Sequence, residues 1–131
     1  MNDGGKADME QYYELTDTEL ELMEVFWEAK EPLSFKDLMA YSNEVLNKDW
    51  KKQTLSTYLK KLQNEGMIEA RRKNTKSYYY TSLVTKNEFL QGWTRKIINQ
   101  SFNKSLKNFI IAFTGGNKLS EEDAEELKKY L

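Results

Sequence analysis

A short stretch near the middle of the chain, residues 53–66 (QTLSTYLKKLQNEG), sets small polar side chains at the start of a helical pattern. Apolar residues recur every three or four positions and predict one buried stripe, formed by Leu55, Tyr58, Leu59 and Leu62. The opposite face carries hydrogen-bonding groups and then two lysines: Gln53, Thr54, Ser56, Thr57, Lys60 and Lys61. Glutamine can pair with adenine in a bidentate way, and a threonine methyl can pack on the thymine methyl. The pattern therefore predicts a helix that reads base edges in DNA, with an ordinary solvated face as the alternative.

Basic residues flank this helix on both sides. Lys51 and Lys52 stand at its predicted start, where the positive end of the helix dipole would help them to bind phosphates. A second basic group follows around a turn-like KNTK segment: Arg71, Arg72, Lys73 and Lys76. A basic hairpin tip beside a reader helix would lie along the DNA backbone or in a minor groove. The alternative is that these charges only keep the edge of the hairpin soluble.

The charge of the chain is unevenly distributed. The net charge is −1, which by itself argues against nucleic-acid binding, and residues 1–31 carry a net charge of −8. Residues 48–76, however, hold nine basic and three acidic side chains and carry a net charge of +6. This asymmetry indicates an electrostatic footprint for a polyanion around the predicted reader helix.

Several kinds of chemistry are excluded by composition. The 131 residues include no cysteine and no histidine, so disulfides, zinc fingers, thiol nucleophiles and histidine-based triads are absent. No set of residues suggests catalysis, a metal site or a cofactor. No apolar run approaches the ~18 residues of a membrane span, and the first residues lack the pattern of a signal peptide. The sequence therefore predicts a cytoplasmic protein without membrane insertion.

Helix start signals organise the first half of the chain. Residues 1–12 are polar and Gly-rich and predict a disordered tail. Thr16 with Glu19 and Ser34 with Asp37 have the spacing of capping boxes, and the first helix is expected to end near Glu31, before a proline. The third helix is expected at about residues 51–65, with Gly66 as its left-handed C-terminal cap. Met23, Phe26 and Trp27 are expected in the core, and Trp50 is expected to pack on the helix that it precedes.

The hydrophobic period changes from 3.6 to 2 after the third helix. The segments MIEARR and SYYYTSL flank the KNTK tip and predict a β-hairpin, with Tyr78 and Tyr80 packing inward and Tyr79 facing out. The predicted fold is mainly α with a small β-hairpin wing. A winged helix-turn-helix domain is expected at residues 13–84 and a helical region at residues 85–131.

The helical region from residue 85 onward is too apolar for its length. Large apolar side chains recur there at helical spacing: Trp93, Ile97, Phe102, Leu106, Phe109, Ile110 and Phe113. Ser120 with Asp123 predicts the start of a last helix. No second globular core is available for this surface, so the region is expected to need a partner. Packing back on the winged domain is the alternative.

Residues 14–131 resemble the penicillinase-repressor family, the BlaI/MecI/CopY type of winged-helix transcriptional repressors. The resemblance rests on LTDTELELMEVFW, on Trp50, Thr54 and Thr57, on LKKLQNEGMIE, on Tyr78 and Tyr80, and on the ending KLSEEDAEELKKYL. It implies a symmetric homodimer built by the C-terminal region, a double-stranded DNA operator with palindromic symmetry, and repression by occluding the promoter. It also implies a membrane sensor metallopeptidase as a further partner, and an operon of the β-lactam-resistance type.

The sequence departs from the family pattern at several positions. The copper-responsive branch has C-terminal cysteine pairs, which are absent here. Members that act on β-lactamase operons often have a basic residue where this chain has Ser56, and a proline where it has Lys52. The operator sequence is therefore not transferable. Family members that act on β-lactamase operons are inactivated by cleavage of an Asn-Phe bond. The only matching dipeptide here is Asn108-Phe109, whereas counting back from KLSEED places the family's cleaved bond at Ala112-Phe113.

The sequence leaves two rival functions open. A winged-helix module could bind an acidic protein partner through the basic block without binding DNA. A small enzyme with carboxylate chemistry would need two convergent acids in a pocket, whereas the acids cluster on the first and last helices in patterns typical of solvated faces. The sequence favours the dimeric repressor.

Overall fold

The computed structural model describes residues 14–131, so the predicted tail at residues 1–12 lies outside the described part. The described chain forms six helices and a three-stranded antiparallel sheet. In chain order these are α1 (Asp17–Glu28), β1 (Leu33–Ser34), α2 (Phe35–Glu44), α3 (Lys52–Asn64), β2 (Ile68–Arg72), β3 (Tyr78–Ser82), α4 (Lys86–Ser101), α5 (Leu106–Thr114) and α6 (Glu121–Lys128). The chain divides into two compact units, one ending at Gly92 and one spanning Trp93–Leu131.

The predicted helix starts are confirmed by their capping groups. The Thr16–Glu19 box at the start of α1 and the Ser34–Asp37 box at the start of α2 are both complete. Ser120 likewise accepts a hydrogen bond from the Asp123 backbone N–H at the start of α6. These caps satisfy backbone donors of the first turn that have no partner inside the helix.

The end of α1 was predicted too late. The helix stops at Glu28 rather than near Glu31, because Ala29 already has an extended backbone (ψ 136°). The chain then enters β1, a two-residue strand that the sequence did not predict. β1 pairs with β3, which places Leu33 opposite Tyr80, and the strand order is β1-β3-β2. The hairpin of β2 and β3 is therefore extended to a three-stranded sheet.

The core of the first unit lies between α1, α2, α3, the first turn of α4 and this sheet. Its buried apolar residues are Leu22, Met23, Val25, Phe26, Leu38, Leu55, Leu59, Leu62, Met67, Ile68, Val84 and Phe89. Trp27 is half-buried against this core, and its indole Nε1 donates a hydrogen bond to the Val84 carbonyl at 2.8 Å. The core positions predicted for α1 are confirmed.

The three tyrosines of β3 only partly follow the predicted alternation. Tyr80 packs on the core, as expected. Tyr78 was predicted to point inward and is 42% exposed, because its cross-strand neighbour is the exposed Arg72 next to the hairpin tip, beyond the core. Tyr79 was predicted to face out and is half-buried.

The C-terminal unit contains the second part of α4, then α5 and α6. None of residues 93–131 has a buried side chain. Asn103 and Lys104 adopt left-handed backbone (φ 50° and 61°) between α4 and α5, and Gly115 (φ 68°) ends α5. The division between the units falls after Gly92, within α4.

Candidate nucleic-acid interface

The helix α3 separates its two faces as the sequence pattern predicts. Leu55, Leu59 and Leu62 are at most 1% exposed and fix the helix to the core. The exposed positions follow one another at helical spacing along the other side: Gln53, Ser56, Thr57 and Lys60. This is a short, polar face that presents donors and acceptors near the start of a helix, the arrangement that base-edge recognition needs.

Three of the predicted DNA-binding residues of α3 are less available to a ligand than the sequence suggested. The Thr57 hydroxyl donates to the Gln53 carbonyl at 2.9 Å, so its methyl and its oxygen lone pairs are what remain for a ligand. Thr54 is half-buried. Lys61 lies with its Nζ 3.5 Å from the buried carboxylate of Glu19, while its side chain is 54% exposed. Lys61 therefore contributes less free positive charge than Lys60.

The start of α3 is suited to an anion. Lys51 occupies the N-cap position without making a side-chain capping hydrogen bond. Lys51 and Lys52 are exposed there, beside the positive end of the helix dipole. Phosphate groups bind such helix ends through backbone N–H groups and nearby cations.

A turn that sequence reasoning missed sets the entry of α3. Asn43 clamps Trp50 from both sides, since its Oδ1 accepts from the Trp50 N–H at 2.7 Å and its Nδ2 donates to the Trp50 carbonyl at 3.1 Å. The Trp50 ring stacks on Tyr58 with centroids 4.8 Å apart, which confirms that Trp50 packs on the helix it precedes. Asn47 and Asp49 both have left-handed backbone, at φ 55° and 54°. Asn43, nine positions before the helix start, followed by Asn-Lys-Asp-Trp at residues 47–50, was the available signal.

The same turn uses one basic residue of the block at 48–76. The Lys48 ammonium lies 2.7 Å from the Glu21 carboxylate of α1. It ties the turn between α2 and α3 to the first helix, so its charge is compensated within the protein. The basic surface is correspondingly smaller than the sequence count suggested.

The exit of α3 connects it directly to the hairpin. Glu65 is the C-cap residue, and Gly66 follows with φ +79°, a conformation that favours glycine because it has no Cβ. The Met67 N–H then donates to the Leu62 carbonyl at 2.9 Å, and both of these residues are fully buried. This turn places β2 immediately after the helix and fixes the wing to it.

The basic side chains of the wing are held by tyrosines. Arg72 donates to the Tyr78 hydroxyl at 2.7 Å and lies 5.2 Å from the centre of that ring. Lys73 donates to the Tyr79 hydroxyl at 3.0 Å, with its Nζ 5.0 Å from the ring centre. The hydrogen bond with Tyr79 raises the pKa of Lys73, so the ammonium stays charged. These contacts orient two cations without neutralising them.

The other basic side chains of the wing differ in whether they have an acidic partner. Arg71 pairs with Glu69 on the same strand, with Nε and Oε2 2.9 Å apart. At the tip, the Asn74 side-chain oxygen accepts from the backbone N–H groups of Lys76 and Ser77, both at 2.9 Å. Lys76 is exposed on this ordered tip. Within residues 14–131, the wing cations without an acidic partner are thus Arg72, Lys73 and Lys76.

The C-terminal unit presents a second candidate site, an apolar face. Trp93, Leu106 and Phe113 are exposed by 47%, 63% and 72%. The other four predicted dimerisation residues are half-buried: Ile97, Phe102, Phe109 and Ile110. Phe109 contacts the rings of both Phe102 and Phe113, with centroids 5.5 and 6.5 Å apart. Along α5, Leu106 and Phe113 therefore remain mostly open to solvent, beside the half-buried Phe109.

Other site chemistry is not found in the part of the chain that the structure describes. Residues 14–131 contain no group of three metal-binding side chains placed to hold an ion. No helix within them is both long and apolar enough to cross a membrane.

A helix with a polar outer face, joined through a tight turn to a basic hairpin, defines a winged-helix protein of the DNA-binding class. The fold agrees with the solution structure of the DNA-binding domain of the repressor BlaI, with a TM-score of 0.51 and 19% identity over 60% of this chain and 92% of that one. The family model described as Penicillinase repressor matches residues 15–131. The chain belongs to the penicillinase repressor family. It is a DNA-binding transcriptional repressor and not an enzyme, as the sequence predicted.

Two relatives match over nearly the whole chain. The methicillin resistance regulatory protein MecI of Staphylococcus aureus (strain N315) is 27% identical over 124 residues, which are 91% of this chain and 94% of that protein. The penicillinase repressor of Bacillus licheniformis is 24% identical over 128 residues, 94% of this chain and 93% of that protein. The similarity thus includes both the winged-helix part and the C-terminal helices.

Proposed function

We propose that the protein is a homodimeric repressor that binds a palindromic operator in double-stranded DNA and blocks the promoter. The observation that carries the proposal is the polar outer face of α3, held on a buried leucine stripe and continued by a basic wing. In this arrangement Gln53, Ser56 and Thr57 contact base edges in the major groove, and Lys51, Lys52 and Lys60 contact phosphates. Arg72, Lys73 and Lys76 of the wing contact the neighbouring backbone.

The assembly part of the proposal rests on the C-terminal unit. Its exposed aromatic rings would each gain roughly 1.5–3 kcal/mol on burial. Association about a two-fold axis buries the same patch on both chains and sets two α3 helices at a spacing related to the DNA turn. We assign residues 13–84 to DNA binding and residues 85–131 to dimerisation, in the cytoplasm.

The names of the relatives support a proposal for the regulated genes, and the family resemblance supports one for the inducing partner. The names of the two relatives refer to methicillin resistance and to penicillinase, and we propose an operon of this kind for the present protein. A membrane sensor metallopeptidase is the proposed partner that relieves repression. Both bonds considered for cleavage, Asn108-Phe109 and Ala112-Phe113, lie within α5, so a protease would have to unwind that helix first. If the protein is cleaved in this way, the masses of the two fragments will identify which of these bonds is cut.

Salt titration tests the DNA-binding proposal. The operator duplex is obtained by binding-site selection with the full-length protein, and its affinity is then measured in rising KCl. We expect the logarithm of the association constant to fall with log[KCl] at a slope near −0.9 per phosphate contacted. A flat response would contradict DNA binding and would favour the rival function, a module that binds an acidic protein partner.

A further inference from the structure

Two carboxyl groups lie close together between α1 and the end of α3. Glu19 of α1 is 0% exposed, and its Oε1 accepts the capping hydrogen bond from the Thr16 N–H at 2.8 Å. Glu65 is the C-cap residue of α3, and its backbone N–H donates to the Lys61 carbonyl at 3.0 Å. The other oxygens of the pair, Glu19 Oε2 and Glu65 Oε1, are buried and receive no hydrogen bond from the groups that the structure describes.

These two orphaned oxygens are explained by a proton. The carboxyl groups of Glu19 and Glu65 are hydrogen-bonding neighbours, and a hydrogen bond between two carboxyl groups requires that one of them be protonated. Two neighbouring ionised carboxylates with oxygens buried away from water would repel each other strongly. One shared proton converts the repulsion into a bond that joins α1 to the last turn of α3.

The surroundings place the proton on Glu65. Burial raises the pKa of Glu65 to about 7, and the hydrogen bond and charge of Glu19 act in the same direction, as does the charge of Glu14, while Lys61 opposes them. For Glu19, burial also acts to raise the pKa. The hydrogen bonds from Thr16 and Glu65, together with the Lys61 ammonium, outweigh it, and the pKa is lowered. Glu19 is therefore the carboxylate and Glu65 the acid.

Building on the proposed function, we infer that Glu19 and Glu65 are positioning residues for DNA binding, and that loss of their shared proton weakens operator binding. The pair anchors the turn at which α3 ends and from which, after Gly66, the wing begins. When both groups are ionised, their repulsion separates the end of α3 from α1. The reader helix and the wing then lose the relative position that one operator requires.

The direction of the pH effect follows from proton linkage. Glu65 keeps its proton up to about pH 7 in the folded protein, whereas an unfolded glutamate loses it near its ordinary value of 4.5. The folded state thus binds more protons between pH 4.5 and 7, and stability falls as the pH rises through that window. The lowered pKa of Glu19 acts oppositely at more acid pH, where its contribution is lost as the pH falls. The chain has no histidine, so no imidazole titration overlaps this window.

The test is the pH profile of operator affinity for the full-length protein at constant ionic strength. We expect wild-type affinity to decline above pH 7, with a limit of about tenfold per pH unit for one linked proton. Glu65→Gln supplies a permanent amide donor to Glu19 and should bind with a flat profile. Glu28→Gln removes the same charge from an exposed position of α1 and should keep the wild-type profile.

The outcomes are separable from those of the proposed function. If no protein binds DNA at any pH, the proposed function fails. If wild type and Glu65→Gln bind with parallel pH profiles, the shared proton has no role in binding and only this inference is overturned. Carbon-13 NMR of the wild-type glutamate carboxyls gives a direct check that needs no variant. A Glu65 midpoint near 7 supports the pair, and a midpoint near 4.5 overturns it.

Discussion

The two units of this repressor bury their apolar side chains to very different extents. Among its described residues, 14–92, the first unit holds twelve buried apolar residues, the last of them Phe89, whereas residues 93–131 hold none. The C-terminal unit is nevertheless rich in large apolar side chains, with Leu106 and Phe113 mostly exposed. A unit with its own core can fold alone, while a unit without one needs a partner surface to be stable.

Under the proposed function, this difference gives each unit a distinct role. The buried leucines of α3 make the reading face a rigid attachment of a packed core, so its side chains are presented in a fixed geometry. If the C-terminal unit forms the proposed dimer, the pairing of two reading faces depends on protein concentration and on the integrity of α5. Repression would then be lost most easily by acting on α5.

The largest expected effect comes from breaking the association. Phe113→Asp should give monomers, because an unpaired carboxylate would be buried in the proposed interface. Joining two half-site contacts in one dimer raises affinity by about 10²–10⁴-fold, and we expect that loss in operator titration, with light scattering to report the mass. Asn108→Asp is the control, since it adds one negative charge to an exposed position of the same helix. A monomeric Phe113→Asp protein with wild-type affinity would contradict the dimer proposal.

The next largest effect is on the free energy of unfolding, which should respond differently to a substitution in each unit. Leu59→Ala removes a fully buried side chain beneath the reading face and should lower the free energy of unfolding by about 2–5 kcal/mol. Leu106→Ala removes a side chain that is 63% exposed in the single chain. Its cost should appear only as a shift of the dimer dissociation constant. Urea unfolding at two protein concentrations measures both, and equal, concentration-independent losses would show that the C-terminal unit has a core of its own.

The sequence predicted the features that depend on local pattern. The capping boxes of α1 and α2, the ends of α3 and the hairpin each depend on residues a few positions apart, and the pattern defined them to within a residue or two. β1 was missed because a two-residue strand has no period of its own and exists only by pairing with β3. Tyr78 was misassigned because alternation says which face a residue takes and not where the core ends.

The interface residues show the same limit. Residue types identified the polar face of α3, but the compensation of Lys48 by Glu21 and of Lys61 by Glu19 depends on how α1 packs, which no local pattern reports. The Glu19–Glu65 pair was hidden for a further reason. Glu19 looked like an ordinary capping residue, and its second oxygen matters only because the end of α3 lies against it.

A smaller effect, on base preference, should show whether Thr57 of α3 contacts a base. The Thr57 hydroxyl donates to the Gln53 carbonyl, so its methyl is the group left to contact thymine. Thr57→Ala should cost roughly 1–3 kcal/mol of discrimination at one base position, while Thr57→Val should keep the preference. Binding-site selection on both variants decides this. Unchanged preferences for Thr57→Ala, Gln53→Ala and Ser56→Ala together would show that this helix does not read bases.

The smallest expected effect concerns the wing. Lys73 is exposed and held by the Tyr79 hydroxyl, so it presents a fixed positive charge without reaching for a particular base. Lys73→Ala should therefore weaken binding to all duplexes alike and reduce the salt slope by about one. Arg71→Ala serves as the matched comparison, because Arg71 already pairs with Glu69, and its loss should change the slope less. If Lys73→Ala instead changed base preference and left the slope unaltered, the wing would contact bases, and sequence recognition would not be confined to α3.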